Sequence, residues 1–248
     1  MTFHRLRPAA LALLLAGCCV GGPPLPSFPA LKDDEVLEQL RARQARIGTL
    51  VAEGSGSLTG LKGAEGSFRW QCWAQGSSRL RLTLTHRLKG LLADALIEGD
   101  RVSCYDPEAG TLEKGDLDTL RVPGLAQTAS LVRLLAGPAD TLAFEPDGRL
   151  GLDGAAGRRW RILLDRTHLT YGTAELRAGE TILARASFEG EAYRMAGPVP
   201  WLMRMTVDRP GEPWKLKLRF TDVQPGAPLD PGIFKMTVPE GTKVVEAP

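Results

Sequence analysis

The feature that most constrains this chain is a period of two in its apolar residues, repeated many times along the sequence. Leu80, Leu82 and Leu84 alternate with Arg79, Arg81 and Thr83. A half-buried antiparallel strand requires this, because successive side chains point to opposite faces of a sheet. One parity likewise joins Phe68, Trp70 and Cys72, then Trp160, Ile162 and Leu164, then Ile182, Ala184, Ala186 and Phe188, and finally Trp214, Leu216, Leu218 and Phe220. The joints Gln75-Gly76-Ser77, Glu98-Gly99-Asp100, Pro146-Asp147-Gly148, Ala178-Gly179-Glu180 and Arg209-Pro210-Gly211 have turn chemistry and are short enough for hairpins. The pattern predicts one meandering antiparallel sheet, which must curl to hide its apolar face.

Helices are few. Asp33-Asp34 is suited to cap a helix whose Val36, Leu37, Leu40 and Ile47 share one stripe, with Glu35 and Glu38 early, Arg41, Arg43 and Arg46 late, and Gly48 at its end. A second helix is expected from Leu125 to Ala136, stopped by Gly137-Pro138. The fold class is therefore mainly β with a few helices.

The first residues contain Arg5 and Arg7 and then the apolar run Ala9 to Leu15, which reads as an export signal. That run falls short of the about 20 apolar residues that a membrane-spanning helix needs. Leu15-Ala16-Gly17-Cys18 resembles the lipobox read by lipoprotein signal peptidase. The expected division is a signal peptide over 1–17, a lipidated Cys18 with a Pro- and Gly-rich tether over 18–30, and one domain over 31–248. Two or more acyl chains, at about 0.8 kcal/mol per buried CH₂, make a stable anchor. Loss of Arg5 and Arg7 with the signal takes the formal charge of +2 close to zero, and the remaining cations are scattered among acids. Such a chain lacks the basic footprint of a nucleic-acid binder.

Cys72 and Cys104 lie in strand-like segments of an exported chain, where a disulfide and two buried thiols are both open, the second being favoured. Beyond the signal the histidines are His86 and His168, with no Cys, His or carboxylate at metal-ligand spacing. A general-base role for either stays open, since triad partners come from anywhere in a chain. The sequence has no nucleophile elbow and no phosphate loop. Gly54-Ser55-Gly56-Ser57-Leu58-Thr59-Gly60 misses the dinucleotide pattern by one residue and reads as a flexible strand edge. No catalytic residue, metal or cofactor is expected.

Phe68-Arg69-Trp70-Gln71, Arg79 to Thr85, Leu88-Lys89-Gly90, Gly99 to Pro107, Leu218 to Val223 and Phe234 to Gly241, in this order, resemble segments of the LolA and LolB family of periplasmic lipoprotein carriers and outer-membrane lipoprotein receptors, LolB more closely. Phe68-Arg69-Trp70-Gln71, Arg79 to Thr85 and Leu88-Lys89-Gly90 are similar to the receptor's opening hairpins and following loop. Gly99 to Pro107 resembles a carrier strand, with Cys104 where an aromatic is usual, and Leu134-Leu135-Ala136-Gly137 has a helical counterpart. Leu218 to Val223, Leu229-Asp230-Pro231 and Phe234 to Gly241 look like the family's closing strand and tail. The resemblance implies an unclosed antiparallel β-barrel plugged by helices, with an apolar cavity for the acyl chains of lipoproteins. It also implies a periplasmic lipoprotein carrier as a partner and, with Cys19 rather than Asp after Cys18, the outer membrane as the location.

The candidate cavity lining is the apolar parity of the strands: Phe68, Trp70, Leu80, Leu82, Leu84, Val102, Ile162, Leu164, Phe188, Met203, Met205, Leu216 and Leu218. Core packing and ligand contact are both open for each of them. In the receptor a leucine in the loop matching Thr85 to Leu92 protrudes and helps deliver cargo, which implies a membrane-facing role for Leu88, with Leu91 beside it. Burial of one leucine is worth about 1.5–3 kcal/mol, and Arg87 and Lys89 suit anionic head groups. The alternative is a leucine tucked under its hairpin. Two departures stand out: Lys89 lengthens the loop, and Ala74-Gln75-Gly76-Ser77 replaces the carrier's Arg-Pro pair. The same scaffold also suits an envelope sensor or protein-interaction module without ligand.

Overall fold

The computed structural model describes residues 24–60, 65–76, 78–116, 142–153, 158–188, 193–197 and 199–246. The export signal, Cys18, Cys19 and the helix expected from Leu125 to Ala136 lie outside them. Helix α1 spans Asp33–Ile47 and begins one residue earlier than an Asp33 cap would have it. Lys32 holds the cap position, where its backbone N–H donates to the Glu35 carboxylate at 2.7 Å. Asp33, Asp34 and Glu35 thus fill the first turn, which favours negative charge. Val36, Leu40 and Ile47 are buried as their spacing predicts, and Gly48 ends the helix at φ 45°.

Sixteen strands follow among the described residues: β1 Thr49–Thr59, β2 Gly66–Gln75, β3 Arg79–His86, β4 Gly90–Glu98, β5 Arg101–Asp106, β6 Thr111–Asp116, β7 Ala143–Phe144, β8 Leu150–Asp153, β9 Arg158–Asp165, β10 Thr170–Ala178, β11 Thr181–Ser187, β12 Tyr193–Ala196, β13 Val199–Leu202, β14 Arg204–Asp208, β15 Lys215–Pro225 and β16 Lys243–Glu246. Fourteen of them form one sheet, ordered β16-β6-β5-β4-β3-β2-β1-β15-β14-β11-β10-β9-β8-β7. Its described pairs are antiparallel, apart from the parallel edge pair β16 and β6. The two edge strands do not bond to each other, so the sheet curls without closing. β12 and β13 form a separate two-stranded ribbon.

Bulges at Glu53/Gly54, Leu84/Thr85, Tyr171/Thr173 and Leu176/Arg177 supply local bending. The last of these, in the β10–β11 pair, breaks an expected parity: Ala184 and Ala186 face the core, but Ile182 pairs with Arg177 across a register shift, and Leu183 packs against the core. Gly54 to Thr59 is not a strand edge. It belongs to β1, flanked by β2 and β15 in the middle of the sheet. A Cβ on Gly54 would lie 1.9 Å from the Arg219 carbonyl oxygen and 2.6 Å from the Trp70 ring, and one on Gly56 would lie 2.4 Å from the Phe68 ring. These glycines let two aromatic rings lie across β1.

The registers sort the connections into two ends. The upper end holds β1–β2, β3–β4, β5–β6, β10–β11 and β14–β15, and the lower end holds β2–β3, β4–β5 and β9–β10. α1 is tied to the lower end at both of its own ends. Asp33 pairs with Arg166 in the β9–β10 turn, and Gly48 accepts a hydrogen bond from the Gly76 N–H at 2.8 Å. Phe28 N–H donates to the Thr167 carbonyl at 2.8 Å, and Phe28 and Leu31 pack on the core, so the folded part takes in the last residues of the sequence-defined tether.

After β15 the chain crosses the convex face and joins the edge as β16, passing a 3-10 turn at Pro231–Phe234. Arg81 anchors it: two of its nitrogens meet Asp94 at 2.7 and 3.0 Å while a third bond reaches the Ile233 carbonyl at 2.7 Å. This cover explains why Asp94 and Leu96 are buried although they alternate with inward-facing Ala93, Ala95 and Ile97. No described helix is long and apolar enough to cross a membrane.

Candidate functional site

The concave face is read from the cross-strand partners. Nearest the lower end, Leu50, Ala74, Leu80, Ile97 and Val102 form one row across β1 to β5, none more than 2 % exposed. The next row, Ala52, Cys72, Leu82, Ala95 and Cys104, is equally buried. Toward the upper end come Trp70, Leu84 and Ala93, and then Phe68 opposite Gly56; here Leu84 and Phe68 are only partly buried. Along β2 and β3 apolar burial thus loosens from the lower end to the upper, whereas Val207 and Leu216 stay buried at the upper end of β14 and β15.

All thirteen candidate lining residues fall on this one apolar cluster. Trp70, Leu80, Leu82, Val102, Ile162, Phe188, Met205, Leu216 and Leu218 are buried in it, and Phe68, Leu84, Leu164 and Met203 pack against it with part of their surface exposed. Leu218 lies between Gly56 and Met205 in register, so the upper rows of β2 and β3 and Met205 of β14 belong to one surface.

Sequence reasoning missed the ribbon. Val199, Trp201 and Leu202 are buried in the same cluster, and the Trp201 ring stands 6.3 Å from Phe220, which meets Trp70 edge-on at 4.7 Å. The Tyr193 hydroxyl fastens the ribbon to β10 by donating to the Tyr171 carbonyl and accepting from its N–H, each at 3.0 Å. Burial pushes the Tyr193 phenol upward from its ordinary value. The run Val199-Pro200-Trp201-Leu202 gave no alternation to read, because three of its four side chains are buried. Trp201 Nε1 and Tyr171 Oη are buried with no hydrogen-bond partner among the described residues. An unsatisfied buried group costs about 1–3 kcal/mol, so each is a place where an acceptor or donor from a ligand would be stabilising.

At the upper end the β3–β4 loop presents Leu88, 87 % exposed, with Leu91 at 36 %. Leu88 is therefore not tucked under the hairpin. His86 shapes the loop, its Nδ1 accepting from the N–H of Leu88 at 3.2 Å and of Lys89 at 3.3 Å. His168 lies in the exposed β9–β10 turn, 2.9 Å from Asp165, whose carboxyl it holds below the ordinary range. Among the described residues no hydroxyl or thiol hydrogen-bonds to either imidazole. Cys72 and Cys104 are free thiols with two strands between them, and burial pushes both up to about 12. No three metal-ligating side chains converge among the described residues.

No protein-family model matches the sequence, and no curated protein matches it significantly. Solved structures do match in shape. A LolA superfamily protein from Nitrosomonas europaea superposes with a TM-score of 0.61 at 13 % identity, covering 84 % of this chain and 99 % of that one. A DUF1329 family protein from Desulfovibrio piger gives 0.61 at 11 % identity, with 83 % and 98 % covered. A domain named for outer membrane lipoprotein sorting, from Vibrio parahaemolyticus, gives 0.58 at 13 % identity, with 82 % and 97 % covered. An unclosed, curled antiparallel sheet holding a helix in its trough, matched over nearly the whole of these structures, gives this chain the LolA-like fold.

Proposed function

We propose that this protein is a lipid-anchored envelope protein that receives acyl chains or lipoproteins in its trough, in the manner of an outer-membrane lipoprotein receptor. The observation that carries the reading is the graded trough. On the β1 to β4 side its lower rows are sealed, while Leu58, Phe68 and Leu84 toward the upper end keep part of their apolar surface in water, near a loop that presents Leu88. Hydrocarbon entering there removes apolar area from solvent at about 25 cal/mol per Å², and no reaction is needed. The buried Trp201 N–H supplies a donor for the carbonyl of an ester- or amide-linked chain. Anchoring through Cys18 at the outer membrane, and acceptance of cargo from a periplasmic carrier with Leu88 and Leu91 against the lipid, complete the reading.

The ribbon favours a second reading, an envelope sensor or interaction module, because Trp201 and Leu202 already occupy the trough. Native mass spectrometry of the chain carrying Cys18→Ala, expressed in a bacterial envelope, separates the two. A retained or transferable acyl species, lost in Phe68→Asp, supports the receptor reading. A ligand-free chain that also takes up no fluorescent acyl probe leaves only the interaction module.

A further inference from the structure

The convex face carries two kinds of arginine. Over β7 to β11 they are neutralised: Arg159 and Arg161 share Glu145, and Arg149 and Arg185 both reach Glu175. Over β2, β1, β15 and β14 they are not. Arg69, Arg204, Arg219 and Lys217 make no ion pair with any described residue.

The sheet register gathers these four cations. Arg69 lies opposite Ser55, Ser55 opposite Arg219, and Arg219 opposite Arg204, making one row across four strands. The adjacent row runs Ser67, Ser57, Lys217 and Thr206. Strands lie about 4.8 Å apart, so the three arginines share about 14 Å of sheet. Like charges placed directly opposite are destabilising, and Arg204 faces Arg219 with no carboxylate between them. Small serines stand on β1 and β2 where strands usually carry β-branched residues, and they leave a groove of about 350 Å³ bounded by Arg204, Lys217 and Arg219. A compact, multiply charged oxyanion meets both needs: guanidinium forks bind it bidentately, and hydroxyls donate to its remaining oxygens.

We propose that this groove is a binding site for a phosphate group, on the face opposite the acyl trough. It lies in the half of the sheet nearest the Leu88 loop, as the pairing of Arg69 with Thr85 places it. It is independent of the trough reading, and failure of one leaves the other standing.

The test is isothermal titration of the full chain carrying Cys18→Ala, in nonionic detergent at fixed ionic strength. The probes are inorganic phosphate, dihexanoyl phosphatidic acid and dihexanoyl phosphatidylcholine. Saturable binding of inorganic phosphate, weakened at least tenfold in the double variant Arg204→Gln/Arg219→Gln and unchanged in Arg185→Gln, is expected. Phosphatidic acid binding tenfold tighter than inorganic phosphate, with the same loss in the double variant, identifies a lipid head group as the source. Equal affinities identify a free phosphate group. Phosphatidylcholine reports any contribution of acyl chains in the trough. Absence of saturable binding by both phosphate probes, or equal weakening by Arg185→Gln, overturns the proposal. A second readout uses no ligand: Arg204→Gln at low salt should raise the melting midpoint by about 1–3 °C. A lowered midpoint would mean that the chain itself holds this arginine, and would equally overturn it.

Discussion

The lower and upper ends of the trough are built from the same strands and the same apolar parity, yet they solve opposite problems. At the lower end Val36, Leu40 and Ile47 of α1 and the row from Leu50 to Val102 belong to one core cluster, and each of these side chains is buried. At the upper end Leu58, Phe68 and Leu84 stay partly exposed, and Leu88 stands almost fully in solvent. The difference teaches where stability and function separate in this molecule. A side chain already packed has no burial left to give a ligand, whereas one that keeps water contact holds apolar area in reserve.

The contrast is open to breaking, first where the effect is largest. Leu40→Ala at the sealed end should cost about 3–5 kcal/mol, because it leaves a cavity among side chains that are fully buried. In a domain of this size that lowers the melting midpoint by about 10 °C. A cost below 1 kcal/mol by denaturant titration would mean that α1 does not seal this end. Glycines in β1 divide the upper end itself. Gly54→Val should cost about 3 kcal/mol, since the added Cβ meets the Arg219 carbonyl oxygen, a backbone atom that has little room to move. Gly56→Val meets the Phe68 ring, which has solvent to swing into, and about 1 kcal/mol is expected. Equal costs would remove the claimed looseness of Phe68.

Titration sharpens the comparison between inside and outside. Burial pushes Cys72 and Cys104 from an ordinary 9.0 up to about 12, so folding favours the neutral thiols. Their contribution is complete below pH 9 and is lost as pH rises toward 12. At pH 8, thiol reagents should label both only after unfolding, read by peptide mass. On the outer wall Arg159, and after it Arg161, hold the Glu145 carboxyl below its ordinary 4.5. That stabilisation is present above pH 4.5 and disappears as pH falls through the lower folded value. Glu145→Gln should remove about 1 kcal/mol at pH 7 and less at pH 3. The smallest effect on stability belongs to Leu88→Glu, within about 0.5 kcal/mol, because Leu88 packs on almost nothing. Its effect should appear in lipid transfer, where a slower release of a labelled acyl peptide into vesicles is expected; an unchanged rate would take the loop out of the mechanism.

Much of the architecture was legible. Strict alternation in β3 and β15 needs only local geometry, since a strand with one face in water repeats every two residues. Turn residues marked most hairpins for the same reason. What escaped reading was structure set by distant neighbours. The ribbon residues Val199, Trp201 and Leu202 lost their alternation because Phe220 and the trough bury them from several sides. Ile182 was misassigned because a bulge flips parity without any change in composition. The β1 glycines looked like a mobile edge until the rings of Trp70 and Phe68 were seen lying across them.

By itself the sequence determined strands, turns and the first helix, because each follows from spacing and from residues with particular backbone needs. It also determined which side chains share a face wherever a strand alternates without a bulge, as in Leu80, Leu82 and Leu84. Only the tertiary structure decided which face is concave, that a ribbon joins α1 in the trough, and which cations on the outer wall meet carboxylates. Those outcomes depend on which strands become neighbours, and pairing between residues far apart in the chain leaves no local period to read.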